Sequence, residues 1–325
     1  MPASNLIVVT GAAGFIGRNA VAQLNARGIQ DLLLVDLLGD AEKWRNLRGL
    51  RFEDLLSPQQ FLNLVESHKT PAIDAVIHLG AQSSTTERDA DFLLSNNYHY
   101  TRSLCEWCLR KEIRFIYASS AATYGDGRHG YNDDVATTTT LQPLNMYGYS
   151  KHLFDLWALK NALFGKIVGL KYFNVFGPFE DHKGDMRSVV NKSYEQICQT
   201  GSVSLFKSYK PGVADGEQQR DFIYVKDAVN VTLHFLDDRS TSGLFNCGTG
   251  VARTWKDLVN AVFAAMGIKP RIDFIEMPEV LRSKYQYFTR AEMNKLRRAG
   301  YKADFMKLED GVSDYVKNCL AVRER

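Results

Sequence analysis

The sequence lacks the long apolar runs that take a chain across a membrane, and we expect no leader segment. No apolar run approaches the ~20 residues that span a bilayer. The first residues read as a strand at Leu6–Val9 and not as a charged region followed by an apolar core. We therefore expect a cytoplasmic protein without membrane contact. Cysteine is also scarce, and the odd number of five fits a reducing compartment.

Two of these cysteines, Cys105 and Cys108, form a C-x-x-C pair that has no second pair nearby. The surrounding residues LCEWCLRK have helical character. Metal or redox chemistry is the alternative, but an isolated pair on a helix favours buried core thiols. We predict core thiols here and no metal site in the chain.

The sequence also has little net charge, only +3 at pH 7, and no run rich in Lys or Arg. It therefore gives no reason to expect nucleic-acid binding. A hydrophobic content of 45% and a charged content of 24% are typical of an ordinary globular protein. The 325 residues suffice for one large domain, or for a main domain with a smaller lobe.

Apolar segments that read as buried strands alternate with helical segments from the start of the chain. The predicted strands are Leu6–Val9, Asp31–Asp36, Ala75–Leu79, Phe115–Ala118 and Lys166–Tyr172. Apolar strands separated by helices indicate a parallel sheet covered on both faces. The predicted fold class is therefore α/β, a doubly wound (Rossmann) sheet.

The alternation weakens after about residue 176. Segments such as Arg187–Thr200 read as loops and short helices, interleaved with further core strands at Phe222–Val225 and Leu244–Cys247. We expect a dinucleotide-binding domain over residues 1–175, which also receives core segments from about 220–260. A smaller C-terminal substrate lobe is expected to consist mainly of residues 176–325.

A glycine-rich loop lies between the first predicted strand and the first helix. Gly11, Gly14 and Gly17 are spaced G-x-x-G-x-x-G, and Asp36 follows 19 residues after Gly17. Glycine lets a pyrophosphate approach main-chain N–H groups, and the helix N-terminus favours the anion. A glycine triplet alone indicates only a tight turn, but this context predicts dinucleotide binding.

The second predicted strand bears on which cofactor binds. Asp36 at its end can accept hydrogen bonds from the adenosine ribose, which favours NAD. Lys43 and Arg45 follow shortly after and could neutralise a 2′-phosphate instead. The choice between NAD and NADP stays open on these residues.

The segment MYGYSKHLFD contains Tyr147 and Lys151 as Y-x-x-x-K. Positions i and i+4 share a helix face, so the phenol and the ammonium converge. A nearby cation favours the phenolate, which lets Tyr147 move a proton near neutral pH. Ser120, at the end of FIYASS, would hydrogen-bond the substrate oxygen. A surface helix pair is the alternative, but the glycine loop makes a hydride-transfer site the better interpretation.

These motifs resemble those of the extended short-chain dehydrogenase/reductase family, as do Arg220–Val225 and Gly243–Gly250. Longer stretches resemble the ADP-L-glycero-D-manno-heptose 6-epimerase family within it. They are Ser83–Thr101, Tyr117–Gly127, Leu144–Asp155, Tyr172–Met186 and Lys284–Thr289. The resemblance implies a homo-oligomeric isomerase with bound NADP that inverts C6″ of an ADP-activated heptose for lipopolysaccharide biosynthesis.

The resemblance also implies roles for individual residues. Lys183 in the HKG motif would be a second acid/base group beside Tyr147. Cofactor contacts would come from Gly11, Gly14, Phe15, Ile16, Gly17, Asp36, Leu37, Lys43, Leu79, Gly80, Ala81, Gln82, Ser83, Asn96, Lys151, Val175 and Lys183. Substrate contacts would come from Asn174, Asp185, Lys192, Phe206, Lys207, Ser208, Arg220 and Tyr285. Arg220 suits a diphosphate because a guanidinium binds two oxygens at once, and its alternative is a surface ion pair with Asp221 or a neighbour.

The chain departs from the family pattern at three positions. Leu37 stands where Asn is usual, Asp185 where Ser is usual, and Lys192 where His is usual. The Asp185 carboxylate would repel a diphosphate sugar unless Arg187 or Lys192 paired with it. Residues 125–141 and 209–219 also look longer than in the family, so these differences leave the identity of the sugar open.

Other functions fit parts of the same pattern. A UDP-hexose 4-epimerase or a related reductase would need Ser120, Tyr147 and Lys151 but not Lys183. A sugar dehydratase would need an acid directly after the strand serine, where this chain has Ala121. A catalytically silent dinucleotide-binding protein is a further alternative, although every catalytic position is filled.

Overall fold

A computed structural model describes residues 6–40, 42–282 and 285–323. Its strands are β1 (Leu6–Thr10), β2 (Leu32–Val35), β3 (Asp54–Leu56), β4 (Ile73–His78), β5 (Arg114–Ser120), β6 (Val168–Tyr172), β7 (Asn174–Phe176), β8 (Val203–Phe206), β9 (Gln219–Tyr224), β10 (Gly243–Cys247), β11 (Ala252–Thr254) and β12 (Ile272–Ile275).

The strands alternate with helices along much of the chain. The α-helices are α1 (Phe15–Ala26), α2 (Pro58–Glu66), α3 (Ala90–Leu93), α4 (Tyr100–Arg110), α5 (Met146–Lys160), α6 (Val189–Thr200), α7 (Val225–Asp237), α8 (Trp255–Met266), α9 (Glu279–Arg282), α10 (Asn294–Arg298), α11 (Leu308–Tyr315) and α12 (Ala321–Arg323). Short 3₁₀ turns include Lys43–Leu47 and Asp181–Met186, and a π-helical turn spans Leu94–His99.

The main sheet has seven strands in the order β10-β6-β5-β4-β1-β2-β3, and every neighbouring pair is parallel. This is the doubly wound order with β10 added beyond β6, so the predicted fold class is confirmed. The direction in which strands are added reverses between β1 and β4. Ligands of such sheets bind at the carboxyl ends of the strands, where this reversal opens a crevice.

Alternation along the strands divides the core into two clusters. Successive side chains of a strand point to opposite faces of the sheet. Ile7 and Val9 therefore pack in one cluster, which includes apolar side chains of α1, α7 and α8. Leu6 and Val8 pack in the other, with side chains of α2, α4 and α5. Both faces are thus covered, as strands that are apolar on both sides require.

The C-x-x-C pair lies on α4 within the second cluster. Neither Cys105 nor Cys108 exposes its side chain. Burial raises the pKa of the Cys105 thiol to about 12 and raises the pKa of the Cys108 thiol as well. Because a thiolate is the reactive form, both thiols are inert. The prediction of buried core thiols is confirmed.

The remaining strands form two small sheets beside the main one. Their orders are β11-β9-β7 and β12-β8. The expectation of loops and short helices over residues 187–200 is wrong, because Val189–Thr200 is a single 12-residue helix. The Ser188 side chain caps its first turn, and Gly201 ends it with a φ of 72°. Its buried side chains include Asn191 and Ser193, which hide the apolar spacing in the sequence.

The length and composition of the helices bear on whether the chain can cross a membrane. Within the described ranges, none combines the length and the apolar content that crossing a bilayer requires.

Candidate active site

One cleft of about 790 Å³ lies at the carboxyl ends of β1, β4, β5 and β6. Predicted site residues that line it are Gly11, Gly14, Phe15, Ile16, Gly17, Asp36, Lys43, Leu79, Gly80, Ala81, Gln82, Ser83, Ser120, Tyr147, Lys151, Asn174, Val175, Lys183 and Asp185. Predicted site residues outside its lining are Leu37, Asn96, Lys192, Phe206, Lys207, Ser208, Arg220 and Tyr285. The structure thus gathers the predicted catalytic groups in one place and leaves part of the predicted substrate set beside it.

The glycine loop is packed so closely that side chains do not fit. A Cβ atom on Gly17 would lie 2.0 Å from the carbonyl oxygen of Gly11. One on Gly11, whose φ is +67°, would lie 2.7 Å from the backbone of Gly80. Gly14 is the N-cap of α1 and offers no side chain to its N–H groups. The loop can therefore present free N–H groups of a 12-residue helix to a pyrophosphate.

Asp36 at the end of β2 is held by three donors. Its Oδ2 accepts a hydrogen bond from the N–H of Ala13 at 2.8 Å. Its Oδ1 accepts from the N–H of Leu37 at 2.7 Å and from Nζ of Lys43 at 2.5 Å. The Leu37 side chain is 63% exposed. The pair of Asp36 and Lys43 therefore forms the edge of the cleft at which an adenosine ribose would lie.

Ser120, Tyr147 and Lys151 form the centre of the cleft. The Ser120 and Tyr147 side chains share a hydrogen bond, and Oγ of Ser120 also accepts from the N–H of Ala122 at 3.1 Å. Burial raises the pKa of the Tyr147 phenol, while the hydrogen bond with Ser120 lowers it. We expected Lys151 to dominate this pKa. In the structure burial has the larger effect, and the group that opposes it is Ser120.

Lys151 itself is nearly buried, at 4% exposure. Burial lowers the pKa of its ammonium to about 8, and Asp155 one turn further along α5 opposes this shift. Asp155 also pairs with Lys171 of β6 at 3.0 Å. It accepts hydrogen bonds from Tyr117 at 2.8 Å and from Ser119 at 2.7 Å.

The sequence analysis missed this buried network of Asp155 and Lys171 behind the catalytic groups. Its signal was a lysine inside the otherwise apolar strand β6. A buried charge of that kind needs a partner.

Lys183 approaches the cleft from the 3₁₀ turn after β7. Its Nζ lies 5.3 Å from the centre of the Phe15 ring at the start of α1. Burial lowers the pKa of the Lys183 ammonium, and the nearby carboxyl group of Glu180 opposes the shift. Tyr147 and Lys183 line the same cleft. Two groups able to exchange a proton therefore share one cavity.

Arg220 lies on β9 and is 6% exposed. Its guanidinium donates to two backbone carbonyl groups and lies 5.6 Å from the ring centre of Trp255 and 5.2 Å from that of Tyr285. The alternative of an ion pair with Asp221 is wrong. The Asp221 carboxylate instead accepts hydrogen bonds from three backbone N–H groups, among them that of Thr249 at 2.7 Å.

The pairing expected for the Asp185 carboxylate does not occur. Lys192 donates to the backbone carbonyl of Asp185 at 3.2 Å and not to its carboxylate. Arg187 pairs with Glu195 and donates to Asn191 at 2.9 Å. Asp185 is therefore an exposed residue of the cleft lining whose carboxylate pairs with neither of the two cations proposed for it.

Three further predicted substrate residues, Phe206, Lys207 and Ser208, lie at the end of β8 and directly after it. Lys207 pairs with Glu276 at 2.7 Å, and both side chains are largely exposed. The N–H of Ser208 donates to Asp215 at 2.6 Å, and the carbonyl of Phe206 accepts from Gln218 at 3.4 Å. These contacts fix the segment beside the cleft.

Asn96 lies outside the cleft lining, and it is the next residue, Asn97, that contacts Gln82 of the lining. The amide of Asn96 donates to Oδ1 of Asn97 at 3.0 Å. Asn97 is fully buried and forms hydrogen bonds with both backbone groups of Gln82 and with Ser150 of α5. Asn97 was not predicted from the sequence. The π-helical turn that holds it, a feature frequent at functional sites, is visible only in the structure.

A metal site in a protein is usually formed by several His, Cys, Asp or Glu side chains that lie close together. Across the part of the chain that the structure describes, no group of three such side chains could hold a metal ion.

A sequence model of the NAD dependent epimerase/dehydratase family matches residues 7–248. The chain belongs to this family. It is 55% identical over 320 residues to an ADP-L-glycero-D-manno-heptose-6-epimerase of Nitratidesulfovibrio vulgaris (strain DP4), covering 98% of this chain and 99% of the relative. The predicted family and enzyme class are therefore confirmed.

Two solved structures are similar over nearly the whole epimerase/dehydratase chain. The structure of Helicobacter pylori ADP-L-glycero-D-manno-heptose-6-epimerase aligns with a TM-score of 0.81 at 26% identity, covering 98% of this chain and 97% of that chain. MoeE5 in complex with UDP-glucose and NAD aligns with a TM-score of 0.75 at 25% identity, covering 98% and 99%.

The lowered pKa of Lys151 predicts an alkaline limit to activity. Lys151 is a cation below about pH 8 and loses its charge above it. Epimerase turnover should therefore fall as the pH rises through that value, because the centre of the cleft loses the positive charge that would stabilise an anionic oxygen while the proton moves. The measurement is kcat against pH for the wild type and Lys151→Arg. An arginine stays charged, so the kcat of Lys151→Arg should not fall as the pH rises through this value. The same alkaline fall of kcat in both proteins would contradict the assignment of this fall to Lys151.

Proposed function

We propose that this protein is an ADP-glycero-manno-heptose 6-epimerase, which inverts C6″ through transient oxidation to a ketone and re-reduction. The observation that carries the proposal is that Tyr147 and Lys183 line one cleft together with the glycine loop. A relative at 55% identity bears the name of this enzyme. A 4-epimerase would need only the Tyr147 side of this arrangement.

The chemistry explains why two proton-exchanging groups are useful. A secondary alcohol with no adjacent carbonyl has no acidic C–H, so simple deprotonation cannot invert it. When bound along Gly11–Gly17, a nicotinamide cofactor supplies reversible hydride transfer. Tyr147 would exchange the hydroxyl proton when the carbonyl points one way, and Lys183 when it points the other. Ser120 would hold the reacting oxygen, and Lys151 would keep its charge beside the phenol.

Arg220 would bind the diphosphate of the substrate. Its guanidinium is almost buried, which lowers the pKa but leaves the group charged at neutral pH. Two of its N–H groups are used on backbone carbonyls, so the others can bind phosphate oxygens. The rings of Trp255 and Tyr285 beside it would hold the guanidinium in place. Lys192, Lys207 and Ser208 would bind other parts of the nucleotide sugar.

The exposed carboxylate of Asp185 suits the sugar end of the substrate. A carboxylate accepts hydrogen bonds from hydroxyl groups and repels phosphate. With Lys183 two residues away, Asp185 would contact heptose hydroxyls while Arg220 binds the diphosphate. The unpaired anion is therefore compatible with an ADP-heptose in this orientation.

The substrate assignment is tested with a panel of ADP-, UDP- and GDP-sugars, with product stereochemistry followed by NMR. We expect inversion at C6″ of ADP-glycero-manno-heptose. Inversion at C4 of a UDP-hexose, with the ADP-heptose unchanged, would overturn the assignment.

The same assay tests Lys183 as the second proton-exchanging group. Lys183→Met should lower kcat on ADP-heptose by about a hundredfold or more. The exposed and distant Lys166→Met serves as the matched control and should retain wild-type turnover. Equal turnover in Lys183→Met and wild type would show that Tyr147 acts alone.

We infer that the cofactor is NADP, with NAD as the alternative. Asp36 alone would repel a 2′-phosphate. Nζ of Lys43 lies 2.5 Å from Oδ1 of Asp36, however, and brings a positive charge to the edge of the cleft at which the ribose would lie. Three donors already occupy Asp36, which reduces its capacity to accept ribose hydroxyls. Leu37 adds no polar group to either cofactor.

Lys43→Met should lower NADP affinity by about tenfold while changing NAD affinity by much less. The lost cation leaves Asp36 facing the 2′-phosphate. The measurement is the Kd of each cofactor by titration calorimetry after removal of bound nucleotide. Asp36→Asn is the matched variant and should shift the preference towards NADP. An unchanged ratio of the two affinities in Lys43→Met would contradict the role of Lys43.

Three predictions from the sequence remain predictions. They are assembly into homo-oligomers, a cytoplasmic location, and the division into a dinucleotide-binding domain and a substrate lobe at about residue 175.

A further inference from the structure

A side-chain amide joins the loop that carries Lys183 to the glycine loop on the cofactor side of the cleft. Asn46 lies in the 3₁₀ turn Lys43–Leu47. Its Nδ2 donates to the carbonyl of Ala13 in the glycine loop at 2.8 Å and to Nδ1 of His182 at 3.1 Å. A longer contact of 3.4 Å joins it to the carbonyl of Phe179. One amide thus joins the glycine loop to the segment 177–186.

The chemistry of the contact suits an amide. Asn carries two N–H donors on one nitrogen, which lets it bond Ala13 and His182 at once. His182 must be neutral for Nδ1 to accept. Burial, with Lys43 and Lys183 nearby, lowers the pKa of His182 to about 4, so the ring is neutral at physiological pH.

The loop itself needs such anchors because its backbone is strained. Phe179 has a φ of +73°, a left-handed conformation that is unfavourable for a residue with a bulky side chain. The guanidinium of Arg18 stacks over the Phe179 ring at 3.6 Å. Asn19 donates to the carbonyl of Pro178 at 3.1 Å. Both anchors come from α1, whereas the hydrogen bonds of Asn46 connect this loop to the turn that also carries Lys43.

We propose that Asn46 is a positioning residue that sets the place of Lys183 relative to the glycine loop. The proposal rests on the proposed role of Lys183. Asn46 is itself no catalytic residue, because it acts through His182 and the 3₁₀ turn Asp181–Met186. Its position in the same turn as Lys43 means that one short segment contacts both the ribose edge and the second proton-exchanging group.

A double-mutant cycle tests this positioning role. Asn46→Ala should lower kcat by about tenfold, because a small displacement of a reacting group has large effects, while KM for the sugar nucleotide changes less than about twofold. In a Lys183→Met background the same substitution should have no further effect. Asn46→Asp keeps the shape of the side chain but replaces its NH2 donor group with an acceptor oxygen. It should therefore also lower kcat by about tenfold, and it tests the proposal even if the alanine variant folds poorly.

A second measurement does not depend on activity. Hydrogen–deuterium exchange followed by mass spectrometry should show faster exchange over residues 177–186 in Asn46→Ala and Asn46→Asp. Asn318→Ala is the matched control, because that exposed asparagine donates locally, to Asp314 four residues before it at 2.7 Å. It should exchange like the wild type.

The two measurements separate the possible failures. A loop that exchanges as in the wild type, together with a kcat loss that persists in the Lys183→Met background, would overturn the positioning role. If Lys183→Met turns over normally, the proposed function of Lys183 is wrong. Faster loop exchange in the Asn46 variants would then still support the attachment itself.

Discussion

The close approach of backbone segments at the head of α1 is the constraint on which the cleft depends. Gly17 lies against the carbonyl of Gly11, and Gly11 lies against Gly80, at distances that no Cβ atom tolerates. This approach brings the ends of β1 and β4 together at the point where the strand order reverses. It also leaves the N–H of Ala13 aimed at Asp36. The cofactor edge therefore follows from backbone packing before any catalytic side chain is considered.

The catalytic side of the cleft depends on buried charges. Lys151 and Lys171 are both nearly buried, and Asp155 lies beside them on α5. Removing charges from water is costly unless they are paired and hydrogen-bonded. Asp155 meets this condition through Lys171, Tyr117 and Ser119. The same contacts hold Ser119 near the end of β5, so the pairing of a buried lysine also helps to place Ser120, the next residue of that strand.

Much of this arrangement could be predicted from the sequence because its causes are local. Strand alternation, the glycine spacing and Y-x-x-x-K depend on neighbours in the chain. They led to the correct fold class and to residues that the structure places in one cleft. The pKa of Tyr147 depends on burial, and the surroundings of Asp185 and Arg220 depend on segments far away in sequence. Asn46 and Asn97 were missed for the same reason, since their contacts span more than thirty and fifty residues. Local pattern does not encode such contacts.

The measurement that tests this account most directly is cofactor binding by Gly17→Ala. Its methyl group would meet the Gly11 carbonyl and displace the loop from the pyrophosphate. We predict that the Kd for the nicotinamide cofactor rises by about tenfold or more, with the circular dichroism spectrum retained. Gly165→Ala, where a Cβ would meet open space, should bind as the wild type does. Wild-type affinity in Gly17→Ala would contradict the claim that this packing creates the cofactor site.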